Sequence, residues 1–82
     1  MNESEAFSTV TNIIAGALEL PEGRIKPEDT IQTVEGWDSL GHLNILIALD
    51  KKFSGRVGKI PELAKATSVE KIVNLLQEYH VI

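Results

Sequence analysis

Asp38, Ser39 and His42 carry a carboxylate, a hydroxyl and an imidazole within five positions of one another, the side-chain types of a nucleophile, base and orienter set. On a helix Ser39 and His42 stand three apart and Asp38 and His42 four apart, so either pair could touch. The surrounding string argues against hydrolysis. A nucleophile elbow needs G-x-S-x-G, and Trp37 occupies the first glycine position. Acyl transfer would also need an oxyanion hole beside an enclosed pocket, and 82 residues leave little material to build one. His42 is therefore expected to be a partly packed helix residue, and His80 a side chain at a fraying C-terminus. With two histidines far apart and no cysteine, no metal site is expected. No residue is assigned a catalytic role, and the chain is not expected to be an enzyme.

Ser39 has two readings. Asp38 suits the N-cap of a helix and Ser39 its first residue, where a hydroxyl is common. The same place offers unpaired N–H groups and partial positive charge, which favour a phosphate ester. Ser39 is thus a cap-region hydroxyl or an attachment point. The helix beyond it is apolar on two sides. Ile45, Leu46, Leu49 and Phe53 fall on one side at helical spacing, and Leu40, Leu43 and Ile47 fall roughly opposite. A small helical core can take up one stripe. The other is expected to stay exposed and to dock proteins that act at Ser39.

The elements that must position these residues read as all-α. Ala6, Val10, Ile13, Ile14, Ala17 and Leu18 follow helical spacing. Asn2 and Glu5 suit the helix start, and Pro21 stops it near Glu19. Residues 20–38 lack periodicity, and a loop that long must be pinned down; Ile25, Ile31 and Val34 are expected to plug it into the core. KPEDT is expected to turn about Pro27, with Asp29 bonding backbone. Gly55 and Gly58 break the chain after Phe53. IPELAKA reads as a short helical turn with Pro61 in its first position. TSVE offers a capping box between Thr67 and Glu70 ahead of Val69, Ile72, Val73, Leu76 and Tyr79. No segment alternates with period two. The expectation is three main helices, a short extra one and a long first loop, in a single domain over residues 1–82.

Composition narrows the function further. Residues 1–38 hold eight acids and two bases, and residues 39–82 four acids and six bases, within a net charge of −4. Lys51, Lys52, Arg56 and Lys59 cluster without aromatics, which reads as a solvated helix end rather than a nucleic-acid site. No apolar run approaches the ~20 residues of a membrane span, and MNESEAFSTV lacks the features of a secretory signal. A cytoplasmic monomer that binds no nucleic acid and does not span a membrane is expected.

The stretch W-D-S-L-G-H-L at the head of an apolar helix resembles the acyl carrier proteins, whose shared motif is Asp-Ser-Leu, here Asp38-Ser39-Leu40. The similarity runs along nearly the whole chain: a first helix, a long loop, a D-S-L helix ending in Phe53, an Ile-Pro turn and a last helix beginning T-S-V. It implies a four-helix bundle of acyl-carrier type. It also implies that Ser39, flanked by Asp38 and Leu40, carries 4′-phosphopantetheine added from coenzyme A by a phosphopantetheinyl transferase. The arm's thiol would hold an acyl group as a thioester, so the absence of cysteine is no obstacle. The implied partners are that transferase, an acyl- or aminoacyl-activating ligase and downstream acyl-transfer or condensing enzymes. Leu40, Leu43 and Ile47 would form the docking face. One departure is informative. Carriers of fatty-acid synthesis usually line this helix with acids, whereas here Gly41, His42 and Asn44 are followed by Asp50, Lys51 and Lys52. That favours a specialised pathway. An aminoacyl or peptidyl carrier is the alternative within the family, and a helical adaptor without a prosthetic group is the alternative outside it.

Overall fold

The computed structural model describes residues 2–82. It contains three α-helices: α1 (Glu3–Ala17), α2 (Ser39–Lys52) and α3 (Val69–Glu78). Two 3-10 turns, Val57–Lys59 and Pro61–Lys65, lie between α2 and α3. Among the described residues there is no strand, only an isolated antiparallel bridge between Thr30 and Ser68. The all-α expectation therefore holds, with one change: the short fourth helix is a 3-10 turn. Pro61 starts it as predicted, but bonds such as Ala66 N to Leu63 O span three residues and keep it tight.

α1 begins as its sequence dictates, with Asn2 accepting the Glu5 N–H at 2.8 Å. It ends at Ala17, two residues before the predicted stop. Leu18 caps it and Glu19 adopts φ +58°, so that Leu20 N reaches back to Ala15 O at 2.8 Å and Glu19 N to Gly16 O at 3.2 Å. This is the reversal that glycine usually makes at a helix C-terminus. α3 ends the same way around His80, φ +57°, with Val81 N bonded to Leu76 O at 2.8 Å. The predicted fraying is absent: Val81 is buried, and Arg56 Nη2 donates to His80 O at 2.6 Å.

The start of α3 differs from its prediction by one residue. Ser68, not Thr67, is the N-cap and accepts the Lys71 N–H at 3.1 Å. Thr67 is held back because its carbonyl accepts the Ile31 N–H at 2.9 Å, while Asp29 O accepts the Val69 N–H. These bonds tie the long loop to the base of α3. The KPEDT turn forms as expected, with Asp29 N donating to Lys26 O and Lys26 N to Asp29 Oδ2 at 2.8 Å. Ile25 and Val34 are buried plugs, whereas Ile31 is half-buried.

α1 packs against both α2 and α3; both 3-10 turns pack on α2, and Pro61–Lys65 also reaches α3. The core holds Val10 and Ile14 of α1, Ile45 and Leu49 of α2, and Val69, Ile72, Val73 and Leu76 of α3. Tyr79, predicted to continue the α3 stripe, is instead exposed and donates to Glu62 Oε2 at 2.6 Å. The molecule measures 29 × 25 × 19 Å. Its least dimension is about two helix diameters, which leaves no layer to enclose a deep pocket.

Candidate functional site

The loop is brought to α2 by a hinge in which exposed Gly36 lies between buried Val34 and buried Trp37. Gly36 takes φ +91°, a conformation that favours glycine. Trp37 N then donates to Val34 O at 3.1 Å, and the indole is 2% exposed. Asp38 follows in extended conformation and caps α2, its Oδ1 accepting the Gly41 N–H at 2.8 Å. Gly41 is itself pressed against the hinge. A Cβ there would collide with the Gly36 carbonyl oxygen and lie 2.9 Å from Leu18 Cδ2. The string G-W-D-S-L-G is therefore a device for seating the first turn of α2 on the loop that precedes it.

His42 completes the seat. It is 6% exposed, more deeply buried than expected. Trp37 Nε1 lies 3.1 Å from His42 Nδ1, and His42 Nε2 lies 2.9 Å from Leu63 O. Indole N–H can only donate and a carbonyl can only accept. The imidazole therefore accepts at Nδ1 and carries its proton on Nε2. The two rings lie within 11° of parallel with centroids 6.2 Å apart, the near-coplanar arrangement an in-plane N–H···N bond needs. This chain of bonds joins the hinge, α2 and the Pro61–Lys65 turn. Read from sequence, Trp37 has no role beyond excluding an elbow; the WDSxxH spacing is the signal that could have revealed the pair.

These bonds leave Ser39 chemically alone. Asp38 is committed to the Gly41 N–H and His42 to Trp37 and Leu63, so the nucleophile, base and orienter are not assembled. Ser39 is exposed at the first position of α2, and its hydroxyl makes no hydrogen bond among the described residues. The first free N–H groups of the helix flank it. Beside it, Leu40, Leu43 and Ile47 are 67%, 52% and 46% exposed, as the second stripe predicted. The first stripe faces inward through Ile45 and Leu49, with Leu46 and Phe53 packed at its margin.

Open hollows flank this scaffold. One of about 410 Å³ lies along α2 and is lined by Leu46, Ile47, Val57, Ile60 and Leu63, with Asp50 and Lys51. Another, of about 550 Å³, lies on α1 and is lined by Glu3, Ser4, Phe7, Ser8, Thr11 and Pro27, without Ser39. Among the described residues no group of three or more histidine, cysteine, aspartate or glutamate side chains could hold a metal ion, and no helix is long and apolar enough to cross a membrane.

No model of a known protein family matches the chain, and no solved structure matches it.

Proposed function

We propose that the protein is a carrier of acyl-carrier type, with Ser39 as the attachment point for 4′-phosphopantetheine. The observation that carries the reading is the free Ser39 hydroxyl at the head of α2, with an exposed apolar stripe beginning at the next residue. The site suits the group on its own terms. A phosphodiester at Ser39 would meet the positive end of α2, and a solvent-facing hydroxyl can be reached by a transferase that brings its own base. When bound, the group supplies a thiol on which an acyl or aminoacyl cargo is held as a thioester. The chain's own residues do the rest. Asp38, Gly41, Trp37 and His42 fix the first turn of α2, so Ser39 is presented at a constant angle. Leu40, Leu43 and Ile47 give partner enzymes an apolar seat beside it, each buried leucine or isoleucine contributing ~1.5–3 kcal/mol to a transient complex. Tethering then raises the cargo's effective concentration at each partner.

The scarcity of acids along α2 favours a specialised rather than a housekeeping fatty-acid pathway, with an aminoacyl or peptidyl carrier as the alternative within the family. Asp38 and Asp50 are the only acidic residues from 38 to 53. The exposed stripe alone would also serve a helical adaptor that carries no prosthetic group. Incubation with coenzyme A and a promiscuous phosphopantetheinyl transferase separates the classes: a carrier gains the mass of one phosphopantetheinyl group, and an adaptor gains none.

A further inference from the structure

The groove along α2 and the exposed stripe share Ile47, so apolar surface is continuous from Leu40, beside Ser39, to Ile60. Leu40 to Lys51 covers about 16 Å of helix, enough to seat three turns of a partner helix. The bases gather toward one end of this surface: Lys51 lines the groove, Lys52 follows it, and Lys59 stands between the lining residues Gly58 and Ile60. Residues 39–65 carry five bases against two acids, a net of +3, within a chain of net charge −4. Lys51, Lys52 and Lys59 are exposed and make no ion pair among the described residues. Each of the two acids has an oxygen engaged within the molecule: Asp50 Oδ1 accepts the Gly58 N–H at 3.1 Å, and Glu62 Oε2 accepts from Tyr79 Oη at 2.6 Å.

We propose that this face docks a protein whose contact surface is an apolar ridge flanked by carboxylates. The inference takes from the carrier reading only that a partner comes to Ser39. A nucleic acid would gain nothing from three exposed aliphatic side chains, and the remaining residues, with a net charge of −7, would repel its phosphates. An anionic bilayer is flat, whereas the surface is a groove; exposed Glu35 and Asp38 stand at its Ser39 end, so the partner's carboxylates lie toward Lys51. A projecting apolar side chain fills the groove, and carboxylates beside it meet the lysines. The apolar contacts supply affinity and the charges supply discrimination.

The test uses two synthetic amphipathic helical peptides with one leucine stripe, flanked by glutamates in the first and by lysines in the second. Each is titrated into the isotope-labelled protein and followed by NMR, alongside phosphatidylglycerol vesicles and duplex DNA. The glutamate peptide should bind about ten-fold more tightly than the lysine peptide, from two exposed charge contacts. Its shifts should map to Leu43, Ile47 and Lys51. Lys51→Glu/Lys59→Glu should reverse the preference, and Leu43→Ala should weaken both peptides. Equal or reversed preference in the wild type, no binding of the glutamate peptide, or tighter binding of vesicles or DNA would overturn the proposal. Ser39→Ala should bind both peptides unchanged, so failure here stands apart from failure of phosphopantetheine attachment.

Discussion

At the scale of single residues, the neighbourhood of Ser39 is built to hold the serine still rather than to activate it. His42 illustrates this, since both ring nitrogens are spent on positioning, one on Trp37 and the other on Leu63 O. Imidazole nitrogen NMR should find Nδ1 unprotonated in the neutral ring; a proton on Nδ1 would contradict the bond from Trp37. His42→Ala should lower unfolding free energy by ~2–4 kcal/mol, because it opens a cavity and strands a buried indole N–H and a carbonyl. Gly41 is the second positioning residue. Gly41→Ala should cost about 1–3 kcal/mol by chemical denaturation, although alanine is the better helix former, since its methyl group meets the Gly36 carbonyl. A neutral or stabilising result would show that the hinge can yield. The sequence made Asp38 and Ser39 legible because capping is local. It could not show Gly41 or Trp37, whose roles depend on a contact across the hinge.

At the scale of elements, the long first loop behaves as part of the core. Ile25 and Val34 are buried at 4% and 3% exposure, while Ile31 is half-buried and holds its place through its backbone bond to Thr67. Ile25→Ala should therefore destabilise by ~2–4 kcal/mol, and Ile31→Ala by clearly less. Equal losses in thermal unfolding would mean that the side chain at 31 is buried as deeply as the other. Helical periodicity located α1, α2 and α3 in the sequence, and the two stripes of α2 were plain from spacing alone. The α3 cap was missed because TSVE satisfies a local rule, and the tie between Thr67 and Ile31 outweighs it. Tyr79 fitted the α3 spacing, yet α3 ends at Glu78 and its ring turns outward to Glu62. Such outcomes are decided by tertiary partners, which no local pattern contains.

For the whole molecule, the clasp between the Pro61–Lys65 turn and the end of α3 sets a response to pH. The Tyr79 hydrogen bond holds the Glu62 carboxyl below the usual carboxylate range, and the same bond raises the Tyr79 hydroxyl above the usual tyrosine value. A lowered acid adds stability above its unfolded value and loses it as pH falls through the folded one; a raised phenol adds stability below its unfolded value and loses it as pH rises through the folded one. The clasp is therefore complete across the neutral range and lost at both extremes. In Tyr79→Phe the Glu62 carboxyl should titrate higher by NMR, and the alkaline loss should vanish from the unfolding curve. A Glu62 titration unchanged by the substitution would remove the clasp from the account. The clasp is surface-exposed, so stability near neutral pH should barely change.

On the proposed reading, one hydroxyl, on a helix seated by its neighbours, receives the prosthetic group. The most direct test is the mass of wild type and Ser39→Ala after reaction with coenzyme A and a promiscuous phosphopantetheinyl transferase, with fragmentation to locate the added group. The variant should stay folded, since losing a first-turn hydroxyl costs at most ~1 kcal/mol. The wild type should carry a single phosphopantetheinyl group, located at Ser39 by fragmentation, and Ser39→Ala should stay unmodified. An unmodified wild type, or a group that persists in the variant, would contradict the reading.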